Sequence, residues 1–166
     1  MMTHRAFIGV GSNLGLPAEN CKKAVTLINT PPSIKVMACS SLYHTEPIGK
    51  KNQPWFVNAA LEVQTSLTAQ ELLQKLLKIE QQFGRIRKMK WEARVIDLDI
   101  LDYDGKILNS KDLTLPHPEM IHRRFVLEPL NEIAGSIIHP LENKTILELL
   151  NNLPQKQMVK KFQLNK

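Results

Sequence analysis

At 166 residues the chain is the size of one domain, long enough to bury a substantial core. No stretch approaches the ~20 apolar residues that a membrane-crossing helix needs, and residues 1–5 carry no signal segment, so a cytosolic protein is expected. Lys and Arg outnumber Asp and Glu by 22 to 16, and the formal charge of +6 favours anionic partners without choosing among nucleic acid, phosphorylated metabolites and acidic surfaces.

No internal repeat, low-complexity run or Gly/Ser linker divides the chain, which predicts a single domain over residues 1–166. Residues 6–11 form a short apolar run ending in glycine, as in a buried strand. Pro17 suits the first turn of a helix, and Ala24, Val25, Leu27 and Ile28 give that helix an apolar side up to Pro31 and Pro32. The alternation of residues 34–45 predicts one long half-buried strand, and a loop over 46–54 separates it from a second strand over 56–64. Thr68 and Glu71 read as a capping box ahead of an apolar stripe of Leu72, Leu73, Leu76, Leu77, Ile79 and Phe83, closed by Gly84. A basic loop then runs to Arg94. Residues 95–103 predict a strand that turns through Asp104 and Gly105 into a hairpin partner at 106–108. Pro118 opens a helix that Pro129 ends or bends, a last strand lies near Ile137 and Ile138, and Thr145 with Glu148 caps a final helix. Hairpin-joined strands alternating with helices indicate an α+β sandwich with a mainly antiparallel sheet. Cys21 and Cys39 lack metal-knuckle spacing and read as small buried hydrophobes.

The segment from Arg94 to Leu101 carries the most chemistry. Side chains alternate along a strand, so Asp97 and Asp99 share one face while Ile96, Leu98 and Ile100 point to the other, into the core. Two like charges roughly 7 Å apart gain little from an ordinary sheet surface, whereas they suit Mg²⁺, which takes one or two carboxylates plus substrate phosphates. The plainer alternative is a solvated strand face. Arg85, Arg87, Lys88, Lys90 and Arg94 crowd just before this pair, an arrangement that a bridging polyphosphate would explain. Trp91 in the same loop is a large aromatic that needs something to cover. Glu80 lies on or beside its helix's apolar stripe, which leaves a structural salt bridge and a nucleotide or metal contact both open. Phe56 and Asn58 repeat the two-apart pattern, fitting either core packing or the face and amide edge of a planar heterocycle. His117 precedes a helix start rich in Arg123 and Arg124, where an anion would be welcome. The other histidines show no metal-ligand spacing.

Taken in order, the blocks Gly11-Ser12-Asn13-Leu14, Thr45-Glu46-Pro47-Ile48-Gly49, Gln53-Pro54-Trp55-Phe56-Val57-Asn58, Glu80, Gly84-Arg85-Ile86-Arg87, Arg94 with Asp97-Leu98-Asp99, and Pro116-His117 resemble the 6-hydroxymethyl-7,8-dihydropterin pyrophosphokinases. The resemblance implies a ferredoxin-like α+β fold, a three-loop active site and two Mg²⁺ ions, with ATP as co-substrate. It implies pyrophosphoryl transfer from ATP to the hydroxymethyl group of the pterin, in folate synthesis. Carried over by position, Asp97 and Asp99 would hold both metals and, with Arg85 and Arg94, form the catalytic set. Glu80, Arg85, Arg87, Lys88, Arg94, Ile100, Thr114, His117, Pro118 and Arg123 would bind ATP. Thr45, Glu46, Ile48, Phe56, Asn58, Trp91 and Phe125 would bind the pterin, the two phenylalanines sandwiching its ring. Glu92 stands where the family has a small residue, Asp112 where some members have arginine, and the basic loop is a residue shorter than in some members.

A monomer acting on small molecules, with neither nucleic acid nor membrane as partner, is the expectation. One rival is a basic ferredoxin-like module that binds RNA; it calls for exposed aromatics on central strands and no acidic pair among them. Another is dinucleotide binding at residues 9–15, where Leu14 stands in place of the fingerprint's last glycine and the glycines more simply serve a tight strand-to-helix turn.

Overall fold

A computed structural model describes residues 3–47, 52–84, 95–154 and 158–161. Its elements run β1 (His4–Ser12), α1 (Pro17–Ile28), β2 (Ile34–Cys39), β3 (Tyr43–Thr45), β4 (Phe56–Thr65), α2 (Ala69–Gln82), β5 (Asp97–Tyr103), β6 (Leu108–Asn109), β7 (Thr114–Leu115), α3 (Arg124–Ala134), α4 (Ile146–Asn151) and β8 (Val159–Lys161). The main sheet has the order β5-β1-β4-β3-β8, with β2 also paired to β4, and each of these pairings is antiparallel. With helices after β1 and β4, this is the ferredoxin-like arrangement.

The apolar run at residues 6–11 alternates between two cores because both faces of β1 are covered. Ala6, Ile8 and Val10 pack with Cys21, Ala24 and Ile28 of α1 and Leu72, Leu76 and Ile79 of α2, together with Leu98 and Ile100 of β5. Phe7, Ala60 and Leu101 face the other way, onto Leu127, Leu130 and Ala134 of α3 and Ile146, Leu149 and Leu150 of α4. Each such fully buried aliphatic stabilises the fold by about 1.5–3 kcal/mol, so two-sided burial makes β1 the strand on which the rest is registered. Both capping boxes are formed. Thr68 Oγ1 accepts from the Glu71 N–H while Glu71 accepts from the Thr68 N–H, and Thr145 and Glu148 do the same for α4.

Several boundaries differ from expectation, each for a local reason. The strand predicted over 34–45 is broken into β2 and β3. At the break the Ser40 N–H still donates to the Ala60 carbonyl, but the Ser40 hydroxyl takes the N–H of Ala60 at 2.9 Å and Glu132 takes the N–H and hydroxyl of Ser41, so side chains take over part of the ladder. The turn at Asp104 and Gly105 is present, with φ of 54° and 65°, but residues beyond it do not pair with β5. Asp104 instead holds the Arg5 N–H and the His4 ring, and β6 pairs with β7, which seats Leu115 in the core. Pro118 opens no α-helix: a 3-10 turn spans Met120–His122, α3 starts at Arg124, and Pro129 lies inside it. Ile138 makes only an isolated bridge to Thr145. Cys21 is buried as expected, whereas Cys39 is exposed. Gly9 and Gly11 lie within β1 rather than in the turn, which Gly15 serves with φ of 67°.

Candidate active site

Asp97 and Asp99 lie at the start of β5, an end strand of the sheet, and both are half-buried. Across β1, Asp97 faces Gly11 and Asp99 faces Gly9; Gly11 in turn faces Asn58 on β4. One row of the sheet therefore reads Asp97, Gly11, Asn58. With strands about 4.8 Å apart, the carboxylate and the amide spring from backbones roughly 10 Å apart, over a floor that carries no side chain between them. A Cβ at residue 11 would stand 2.5 Å from Asn58 Oδ1, so any larger residue there displaces the amide. Alternation places these groups on the face that Leu101 and Ala60 share with α3, beyond the end of that packed core.

Neighbouring elements fix this row. Asn58, 7% exposed, donates through Nδ2 to Thr45 Oγ1 at 2.7 Å, and Thr45 is itself buried opposite Phe56. Asn13, 1% exposed, donates to Gln53 Oε1 and the Pro54 carbonyl, joining the loop after β1 to the loop before β4. Sequence reasoning took the Asn13 block only as part of a motif and missed this latch. Glu80, 3% exposed on α2, accepts the N–H of Leu98 at 2.8 Å, so a helix carboxylate grips the strand between the two aspartates. His117 accepts the Glu119 N–H on Nδ1, which leaves Nε2–H as the donor of the neutral ring. Burial, and then the nearby Arg123 charge, lower its pKa; Asp97 acts against that shift. Arg123 lies with its guanidinium 5.6 Å from the ring centre of half-buried Phe125, at the entry to α3. The adjacent Arg124 is structural, bonded to Glu128 and the Leu153 carbonyl.

The remaining predicted positions are spread unevenly. Ile100 has its side chain in the α1/α2 core, so only its backbone, on an end strand, is open to a ligand. Thr114 and Pro118 are exposed on either side of the buried Leu115 and Pro116. Glu46 follows β3, its backbone N–H bonded to the carbonyl of Met158. Ile48, Arg85, Arg87, Lys88, Trp91 and Arg94 lie outside the described residues, as does Glu92. Among the described residues, no group of three or more His, Cys, Asp or Glu side chains converges. The pair Asp97 and Asp99 alone still fits Mg²⁺, a hard ion that completes an octahedron with water and phosphate oxygens rather than with a full protein cage.

The dinucleotide reading fails on topology, because β1 is flanked by antiparallel neighbours and not by a parallel crossover. The sheet also lacks the open face that an RNA-binding sheet presents, since packed cores lie on both sides.

The sequence model described as 7,8-dihydro-6-hydroxymethylpterin-pyrophosphokinase matches residues 7–135. Proteins named 2-amino-4-hydroxy-6-hydroxymethyldihydropteridine pyrophosphokinase are similar along most of the chain. The Synechocystis protein is 41% identical over 150 residues, 90% of this chain and 76% of that one. The Haemophilus influenzae protein is 37% identical over 155 residues, 93% and 96% of the two chains, and the Methylorubrum extorquens protein 42% identical over 149, 90% and 93%. Among solved structures, a Plasmodium falciparum HPPK-DHPS with pteroate superposes with a TM-score of 0.74 at 16% identity, over 90% of this chain and 41% of that one. This chain thus spans less than half of that longer protein, and the likeness is one of fold.

Proposed function

The chain belongs to the 7,8-dihydro-6-hydroxymethylpterin-pyrophosphokinase family, and on that premise we propose that it transfers the pyrophosphoryl group of ATP to the hydroxymethyl oxygen of 6-hydroxymethyl-7,8-dihydropterin, giving the pterin diphosphate and AMP, a step of folate synthesis. The observation that carries the reading is the row Asp97, Gly11, Asn58: a hard-ion pair and an amide edge reader on one sheet face, with a side-chain-free floor between them.

The pterin-side wall comprises Asn58, Thr45, Phe56 and Phe125, with Glu46 following Thr45 in the chain, and the family resemblance adds Ile48 and Trp91 to the pterin set. The Asn58 amide offers both a donor and an acceptor to a pterin's amide-like edge, and its hydrogen bond to Thr45 fixes which is which. On the nucleotide side, the His117 Nε2–H and Arg123 donate to phosphate oxygens, with Arg85, Arg87, Lys88 and Arg94 completing the cationic set. Glu80 contributes by holding β5, and Ile100, Thr114 and Pro118 border the nucleotide. Asp97 and Asp99 would hold Mg²⁺, two ions by family analogy, and the metal would supply neutralisation of phosphate charge. In the reaction the hydroxymethyl oxygen forms a bond to the β-phosphorus while the bond from that phosphorus to the α,β-bridging oxygen breaks. The electron pair leaves with AMP. The chain's residues position the two substrates in line and stabilise the developing charge, which is where most of the acceleration in such transfers originates. No described side chain is placed as a strong general base.

One pyrophosphokinase domain, acting as a monomer in the cytoplasm where ATP is at hand, accounts for residues 1–166. Among the described residues no helix is long and apolar enough to cross a membrane. Incubating the protein with ATP, Mg²⁺ and the hydroxymethyl-dihydropterin, then separating nucleotides, tests the reading. AMP appearing in step with a diphosphorylated pterin is expected; ADP would reveal an ordinary kinase.

A further inference from the structure

The chain end makes contacts that the pyrophosphoryl-transfer reading does not use. Strand β8 pairs antiparallel with β3, Val159 opposite Thr45, Lys160 opposite His44 and Lys161 opposite Tyr43. It lies beyond residues 7–135, the span shared with the family's sequence model. Where β3 ends, Glu46 and Met158 form a reciprocal pair. The Glu46 N–H donates to the Met158 carbonyl at 3.0 Å, and the Met158 N–H donates to Glu46 Oε1 at 2.8 Å. The carboxylate thus replaces the next ladder carbonyl and holds residues 112 apart in sequence. On its other edge β3 carries Tyr43 and Thr45 against Asn58 and Phe56, and Thr45 Oγ1 is the acceptor that orients the Asn58 amide. A three-residue strand has little hold of its own, so its place depends on both edges. The Lys161 charge also acts on Glu132, the α3 residue that accepts the Tyr43 hydroxyl, so β8 meets β3 and α3 together.

We propose that Glu46 is a positioning residue of the pterin subsite, acting through Met158 and the β8 strap, so that the chain end sets pterin affinity while leaving ATP affinity alone. The inference rests on the assignment of Thr45 and Asn58 to the pterin edge. The strap touches β3 and α3, whereas the acidic pair lies at the opposite edge of the sheet, beyond β4 and β1. A loosened strap therefore blurs the pterin wall and leaves the metal and phosphate groups in place.

Lys160→Pro tests this, since it puts a ring and no N–H in the middle of β8 at an exposed residue outside the site. Loss of one or two hydrogen bonds' worth of ordering should raise the pterin KM roughly 5- to 30-fold, with kcat and the ATP KM within about twofold of wild type. Equal rises in both KM values, or an unchanged pterin KM, overturn the proposal. Should that variant not fold, Glu46→Ala and Glu46→Gln decide it. The glutamine keeps an oxygen for the Met158 N–H and recovers most of the pterin affinity that the alanine loses; two equally impaired variants would mean that the charge acts directly. A wild-type protein that forms no AMP sinks the reading and this inference with it. A wild type that turns over while Lys160→Pro matches its pterin KM sinks the inference alone.

Discussion

Asp97 and Asp99 share a face because strand geometry allows nothing else, and their partners across β1 are Gly11 and Gly9. That the two aspartates share a face was legible from their spacing, whereas spacing alone left a solvated strand face equally open. The role of the glycines was not legible, because it depends on register: only the pairing of β1 with both β4 and β5 reveals that Gly11 separates Asp97 from Asn58. A glycine at alternate positions of a buried strand was the available signal, a mark of close approach. Two substitutions separate the halves of this row. Asp97→Ala should lower turnover by orders of magnitude, with a thermal midpoint near that of wild type because the side chain is half-buried and belongs to neither core. Gly11→Ala places a methyl 2.5 Å from Asn58 Oδ1 and must turn the amide away from Thr45, so the pterin KM should rise about tenfold with the ATP KM little changed. Steady-state rates in both substrates check both expectations.

At the scale of elements, the starts of both helices with capping boxes, and the end of the first at Gly84, were readable to within about a residue, because those signals are local. The break between β2 and β3 was hidden, because it depends on Glu132, some ninety residues away, capturing Ser41 and the Tyr43 hydroxyl. β8 was hidden too: a short basic strand gains its place from β3 and shows no periodicity of its own. The Glu132 cluster makes the tie between α3 and β3 sensitive to acid. Burial alone would raise the Glu132 carboxyl, but hydrogen bonds from Tyr43 and Ser41, with Lys161 nearby, hold it below its ordinary 4.5. A depressed folded-state pKa stabilises the fold above the ordinary value, and that contribution is lost as pH falls through the lower, folded one. Urea unfolding midpoints measured from about pH 6 down to about pH 3 should therefore fall less steeply for Glu132→Gln than for wild type. The glutamine variant should also be the less stable of the two at neutral pH. Solvent at this exposed residue keeps the difference small, but a steeper fall in the variant would contradict the assignment.

Across the whole molecule, α1 and α2 cover one face of the sheet, and α3 and α4 cover most of the other. Among the described residues, Asp97, Asp99, Phe56 and Asn58 lie on that second face beyond the residues that form its core. The excess of positive charge, +6 overall, suits the triphosphate of the proposed reaction, since the basic run of residues 85–94 immediately precedes the acidic strand in the sequence. The measurement that reaches the central claim most directly is a titration of the labelled protein with Mn²⁺ and a non-hydrolysable ATP analogue, followed by amide line broadening. Paramagnetic loss of the signals of residues 97–99 and of Gly9 and Gly11, with residues 34–36 at the far end of β2 unaffected, is the outcome this account predicts. Intact signals along β5, with broadening elsewhere, would contradict it.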